Sequence, residues 1–354
     1  MADFTPLTEI RAAPHVKRNV SVEKIMFHVV LALLPIMAFS FWQYGLSIIA
    51  LAVVVTGTCL ATERFFNWMG NRPNTLSDWS AAITGLLLTL ALPPSFPLWM
   101  GAVAAFAAIA LGKALFGGIG YNLFNPALVG RAFVQAAFPV SISTWVPAYF
   151  PDRFSGFIPT SLTPPLMTPP DLKAWVDQHV VDGFTGATPL AQWKFENKVA
   201  EVGDLLSGMA TASVGETSSL LIMLCGLYLA YRRFLDWRIP VSILGTAMAV
   251  AYGFHLADPG RFPPGTFVMF SGGLMLGAWF MATDMVTSPV TNLGVWVYGA
   301  IIGGVTVLIR YFGGLTEGVM YAILLGNALT PLIDQLTQPR VFGHKIKDRE
   351  GHKS

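Results

Sequence analysis

Charged residues are scarce in this chain. Asp, Glu, Lys and Arg together make up 12% of its 354 residues, about half the share of an average soluble domain. So little charge cannot coat a globular surface of this size. That excludes an ordinary cytosolic enzyme and a disordered protein. The formal net charge of +2 is too small for a phosphate-binding footprint, which excludes nucleic acid as a partner. Cysteine is nearly absent, with only Cys59 and Cys225. Two cysteines cannot hold an iron–sulfur cluster, which needs about four ligands. Both sit in apolar runs, where buried free thiols are the plain reading and a disulfide the alternative. The six histidines are scattered and no pair has i, i+4 spacing, so no haem or zinc signature and no metal ligand set is read. No Gly-x-Gly-x-x-Gly follows a strand, so the chain has no NAD site of its own.

What the chain has is apolar length. Hydrophobic residues make up 54%, and a spanning helix needs about 20 of them in a row. Residues 25–62 and 79–112 contain no Asp, Glu, Lys or Arg. Gln43-Tyr44-Gly45 divides the first stretch, and Pro93-Pro94 with Pro97 divides the second. The expected spans are 25–42, 46–66, a short 78–92, 96–115, 122–139, 217–235, 239–257, 265–283, 291–311 and 315–336. This is an all-α integral membrane protein of ten transmembrane helices, five on each side of an insertion. The expected divisions are an arm at 1–24, a five-helix unit at 25–139, a loop at 140–216, a second five-helix unit at 217–336 and a basic tail at 337–354.

Lys and Arg near the span ends set the orientation. Arg11, Lys17, Arg18 and Lys24 precede the first span, and Arg340, Lys345, Lys347, Arg349 and Lys353 follow the last. Both ends are therefore expected in the cytoplasm, with the basic turns at Arg64 and Arg72 and at Arg232, Arg233 and Arg238. The 93–97 turn and the 140–216 loop then fall outside. The first 24 residues are polar and basic, so no cleavable signal peptide is expected.

The halves resemble each other weakly. Phe116-Gly117-Gly118 and Asn125-Pro126-Ala127-Leu128 in the first are matched by Phe312-Gly313-Gly314 and Asn327-Ala328-Leu329 in the second. Five spans per half would turn the second upside down. Inverted repeats with interrupted helices in matching positions place sites near the bilayer midplane. The alternative is chance, since Gly and Pro are common in membrane helices. Polar groups at membrane depth are costly and point to function. Arg131 lies inside the fifth span near Asn125, where it is either a gate or counter-charge or a tie to free carbonyls. Asp284 closes the eighth span among Thr283, Thr287 and Ser288. A carboxylate among hydroxyls suits Na⁺ or a proton, and equally a cap for the next segment. Arg131, Asn125, Asp284 and Asn327 are the expected ion pathway. Asp78, Glu317 and Asp334 read as interfacial.

One loop segment stands apart: Asp182-Gly183-Phe184-Thr185-Gly186-Ala187-Thr188-Pro189. By composition it is a turn, with Gly183 and Gly186 free to adopt positive φ. Yet small residues before Thr188 leave its hydroxyl open, as a modifying enzyme requires. Asp182-x-x-Thr185-Gly186-Ala187-Thr188 resembles the flavinylation motif Asp-x-x-(Ser/Thr)-Gly-Ala-(Ser/Thr), whose last hydroxyl accepts FMN through a phosphoester. Over about residues 18–340 the chain resembles the NqrB/RnfD family of membrane subunits in ion-pumping redox complexes. The matching stretches are Leu76-Ser77-Asp78-Trp79-Ser80, Gly120-Tyr121-Asn122-Leu123-Phe124-Asn125-Pro126-Ala127 and Met281-Ala282-Thr283-Asp284-Met285-Val286-Thr287-Ser288-Pro289. Met285 departs from the Pro expected there. The short arm and overall length look more like the RnfD branch than the longer NqrB branch.

The resemblance implies a urea-channel-like fold of two inverted repeats in a bacterial inner membrane, with the Thr188 loop periplasmic. It implies covalent FMN on Thr188, attached by a flavin transferase, and a non-covalent riboflavin. It implies partners in an Rnf-type complex: a second FMN-bearing subunit and iron–sulfur membrane subunits. Electrons would pass between ferredoxin and NAD⁺, coupled to Na⁺ or H⁺, with no complete reaction by this chain alone. An NqrB-like quinone-reducing assembly and a urea-channel-like solute transporter are the alternatives. The loop also offers Trp145, Tyr149, Phe150, Phe154, Phe157, Trp175, Phe184 and Trp193 for stacking, none singled out.

Overall fold

The computed structural model describes residues 21–73, 75–172, 175, 188–208, 213–216 and 218–339. These residues form helices and turns. Five helices are long and apolar enough to cross a membrane: α1 (Val22–Tyr44), α2 (Leu46–Met69), α10 (Arg238–Ala257), α13 (Asn292–Phe312) and α14 (Val319–Thr337). Shorter apolar helices lie between them: α3 (Ser80–Ala91), α4 (Leu98–Ile109) and α9 (Ser219–Tyr231). Large apolar side chains such as Val53, Leu224, Val290 and Leu332 stay exposed on the outer faces. Water would not tolerate that much exposed apolar surface, and lipid does. The protein is a multi-pass membrane protein.

The short helices start and stop for local reasons. Asp78 accepts the backbone N–H of Ser80 at 2.8 Å and so opens α3 from outside it. Leu92-Pro93-Pro94 ends α3, because proline cannot continue a helix. The expected span at 122–139 shrinks to α5 (Pro126–Ala137). Asn125 caps α5 by accepting from Ala127 N at 3.0 Å, and Pro126 occupies the first turn. Phe138 and Pro139 stop it, and a single turn, α6 (Pro139–Ile142), follows.

The expected span at 265–283 is two helices. The first, α11 (Gly265–Phe270), stops at Ser271, and the second, α12, starts at Leu274 and runs on as a π-helical turn, Gly277–Met281. Gly272 turns the chain between them with φ +63°. The last span begins at Val319 rather than 315, which leaves Glu317 in the lead-in and not on the helix.

Packing order recurs between the halves. α2 packs on α3 and α4, and α4 packs on α5. In the same order α10 packs on α11 and α13, and α13 packs on α14. α1 meets α9 across the two groups. Both cysteines are free and buried.

The described part of the 140–208 segment lies on one end of the helix body. It has a small core of Val146, Phe150, Ile158 and Leu172, against which Trp175 packs. It is tied to the helix ends: Leu46 N donates to Arg153 O (2.9 Å), Leu98 N to Ser161 O (3.0 Å) and Ile158 N to Ser47 Oγ (2.9 Å). Two further helices, α7 (Pro189–Glu196) and α8 (Val202–Ser207), complete it. Trp193 packs on Tyr311 with ring centroids 5.4 Å apart. Lys194 Nζ donates to Gly313 O and to Leu315 O (2.9 Å), past the C-terminal end of α13. A cation there satisfies free carbonyls and favours the dipole.

The break in the α11–α12 pair depends on Gly272. A Cβ there would lie 2.6 Å from Leu190 Cδ1 and 3.1 Å from Arg310 Nη2. Gly272→Ala is expected to destabilise the protein by about 1–3 kcal/mol. A lowered thermal midpoint in detergent checks this, and an unchanged midpoint contradicts it.

Candidate functional site

Three of the four expected pathway residues meet where α12 ends. Asn125 caps α5 with its oxygen and donates its amide to Met281 O at 3.0 Å. Tyr298 donates to Asn327 Oδ1 at 2.8 Å and reaches Ala282 O at 3.4 Å. Asp284 receives only long bonds, from Val286 N (3.3 Å), Thr287 Oγ1 (3.4 Å) and Asn122 Nδ2 (3.5 Å). It both caps the next turn and turns a loosely held carboxylate toward Asn122.

A cavity opens here, lined by Ser80, Lys113, Asn122, Asn125, Trp279 and Asp284 with apolar neighbours. Two π-helical turns reach it, Ala110–Ala114 at the end of α4 and Gly277–Met281. Such turns insert one residue into a helix and are frequent at functional sites. The first turns Lys113 inward and the second turns Trp279 inward. The Trp279 indole N–H is buried with no partner. An amide pair, a carboxylate, an indole and Phe280 around one space suit a flat ring with a polar edge.

Lys113 was not among the expected site residues, and neither was its partner. Its ammonium donates to Glu63 Oε1 at 2.7 Å, and their side chains are 4% and 5% exposed. Lys113 also donates to Ser80 Oγ (2.5 Å), and Thr75 Oγ1 donates to the same Glu63 oxygen (2.6 Å). Removing one member of such a pair leaves an unpaired buried charge.

The fourth expected residue, Arg131, lies apart from the other three. It donates to Glu317 Oε2 at 2.6 Å, and their side chains are 8% and 12% exposed. Glu317 is thus a buried partner, not an interfacial group. The tie to free carbonyls considered for Arg131 belongs instead to Arg310, which donates to Val268 O (2.6 Å) and Ser271 O (2.9 Å). Arg310 was not among the expected site residues, and it is 1% exposed. Glu216, expected in the outer loop, is 7% exposed beside them. Asp334 is a local cap, accepting from Val290 N at 3.1 Å.

Thr188 opens α7. Its hydroxyl accepts from Ala191 N at 3.2 Å and is the N-cap. The open hydroxyl expected from its small neighbours differs from what is found: Thr188 is 3% exposed. Asp182, Thr185, Gly186 and Ala187 lie outside the described residues. Among the stacking candidates, Phe150 and Trp175 face each other at 5.1 Å, and Tyr149 packs on Trp42. Partial burial holds the Lys194 ammonium below its usual range.

A body of long apolar helices, with ion pairs buried where shorter helices break, defines a multi-pass membrane subunit. The sequence pattern of the NQR2, RnfD, RnfE family matches residues 9–343, and the chain belongs to that family. A Clostridium ljungdahlii protein, the D-type subunit of a proton-translocating ferredoxin:NAD⁺ oxidoreductase complex, is 40% identical over 352 residues, covering 94% of this chain and 96% of that protein. The D-type subunit of the Na⁺-translocating ferredoxin:NAD⁺ oxidoreductase complex of Acetobacterium woodii is 37% identical, with 96% of each chain covered. Its counterpart in an ion-translocating oxidoreductase complex of Halorhodospira halophila is 36% identical over 98% of this chain and all of that protein.

The Lys113–Glu63 pair yields a test. Lys113→Met or Glu63→Gln alone is expected to cost about 3–5 kcal/mol, and the two together less than either alone. Thermal midpoints of the four proteins in detergent check this. Simple additivity would contradict the buried pair.

Proposed function

We propose that this chain is the D-type membrane subunit of an Rnf complex, relaying electrons through FMN on Thr188 and helping couple ferredoxin/NAD⁺ chemistry to Na⁺ or H⁺ movement. The observation that carries the reading is the full motif Asp182-x-x-Thr185-Gly186-Ala187-Thr188 in a chain of this family. Relatives that match nearly end to end bear the name of a ferredoxin:NAD⁺ oxidoreductase complex.

The residues fit the cofactor. Thr188 stands at the N-terminus of an eight-residue helix. A phosphoryl group on that oxygen would meet the free N–H groups and positive dipole end of α7. Capping by the free hydroxyl would be replaced by capping from phosphate oxygens. Attachment forms the Thr188 Oγ–phosphorus bond and breaks the pyrophosphate of FAD. AMP leaves, and the hydroxyl proton passes to solvent. Because Thr188 is 3% exposed, the flavin transferase must act on this segment before it packs or after it lifts. Bound FMN supplies one- and two-electron redox chemistry. The chain anchors it, docks the segment through Trp193 and Lys194, and keeps it at one end of the membrane.

The cavity beside Asn125 and Trp279, about 100 Å³ as it stands, would have to widen to take the non-covalent riboflavin. Asn122 and Asn125 can address a polar ring edge, and the unpartnered indole N–H can donate to it. The recurring packing order supports ten spans as two inverted five-helix repeats, urea-channel-like, with both termini cytoplasmic and the Thr188 segment periplasmic. The partners of this reading are a second FMN-bearing subunit and iron–sulfur membrane subunits.

The test is in-gel flavin fluorescence of the denatured chain, expressed with a flavin transferase. A band at about 38 kDa is expected from the wild type and none from Thr188→Ala. A dark wild type beside a working transferase contradicts the reading and favours a solute transporter.

A further inference from the structure

We propose that Glu216 and Glu317 together bind one small monovalent cation, a proton or Na⁺, beside the helix break beneath Thr188. Glu317 gives one oxygen to Arg131, and its Oε1 has no partner. Glu216 is 7% exposed, and its oxygens meet only the Ser213 hydroxyl and the Glu317 carboxyl. The two carboxyls lie against each other. An ionised carboxylate only accepts hydrogen bonds. Two of them in contact have no donor between them, and their charges repel. A proton or Na⁺ between them would supply what the contact lacks.

The surroundings agree. The Ser213 hydroxyl lies against Glu216, within the buried interior, at 0% exposure. Gly273 lets the carboxyl approach, since a Cβ there would lie 2.8 Å from Glu216 Oε1. Oxygens from two carboxylates and the Ser213 hydroxyl form a hard donor set. A proton would turn one carboxyl into the missing donor, and Na⁺ would gather the oxygens directly.

Charge balance makes the site exchangeable. Arg131 from α5 and Arg310 from α13 face the pair, with Tyr311 of α13 and Tyr321 of α14 the other titratable neighbours. Two guanidinium charges offset two carboxylate charges when the site is empty, and loading adds one positive charge. Leu190, two residues after Thr188, reaches the backbone of Gly272. Resting on the reading of Thr188 as the flavin anchor, an electron arriving there would strengthen cation binding below, and its departure would weaken it.

The experiment uses the detergent-purified complex containing this chain. Infrared difference spectra between acid and alkaline pH, in H₂O and D₂O, report a protonated carboxyl. Titration calorimetry with NaCl reports Na⁺. If the cation is a proton, the wild type has a carboxyl band that moves in D₂O and is absent from Glu216→Gln. If it is Na⁺, the wild type shows saturable binding that weakens at least about tenfold in Glu216→Gln. Should Glu216→Gln fail to assemble, Glu216→Asp must shift the band or the affinity. A wild type with neither signal overturns the proposal, as does a signal identical in both variants. The same signature is expected in Thr188→Ala, so loss of the flavin would leave the cation site standing.

Discussion

Two carbonyls, those of Val268 and Ser271, lose their helical partners where α11 stops, and Arg310 satisfies both. In hydrocarbon there is no water to do it instead. That requirement draws a guanidinium into the body, 1% exposed. A buried cation then needs balancing charge nearby, and Glu216 and Glu317 lie within its field. Glu317 in turn holds Arg131. The break, the four charges and the docking of α7 on the end of α13 are thus one arrangement. Gly272 is the hinge of it, because any side chain there would strike both Leu190 and Arg310.

The opposite end of the bundle follows the same logic with different groups. The α4 π turn brings Lys113 against Glu63, and the α12 π turn brings Trp279 and Phe280 toward Asn125. One end holds Arg131, Arg310, Glu216 and Glu317 and lies under Thr188. The other holds the Lys113–Glu63 pair beside aromatic and amide groups. An assembly that moves electrons and ions would use the first for cations and the second for a flat cofactor. Overall similarity does not separate the ions: a proton-translocating and a Na⁺-translocating relative are 40% and 37% identical to this chain. The few oxygens around Glu216 are where such a difference can be sought.

Much of this was legible in the sequence. Charge-free stretches marked the long helices, and prolines marked the end of α3. Asn125 and Asn327 stood out as members of an ion pathway, and both are buried hydrogen-bonding groups. The misses share a cause. Lys113, Glu63, Arg310 and Glu216 lie at or just past apolar runs, where charge reads as an interfacial anchor. Only tertiary packing turns them inward. Glu317 was misread for that reason too. The π turns leave no periodic signature, since one inserted residue disturbs a pattern no more than a glycine does. Thr188 was singled out by its motif, but its burial was not legible, because small neighbours say nothing about what packs over them.

The most direct measurement is tandem mass spectrometry of the tryptic peptide between Lys173 and Lys194, taken from the chain in native membranes. It contains the whole motif and no other Lys or Arg before its end. The account predicts a peptide carrying FMN, with the fragment ions locating it on Thr188. An unmodified peptide, from membranes where another protein carries the same linkage, would contradict it.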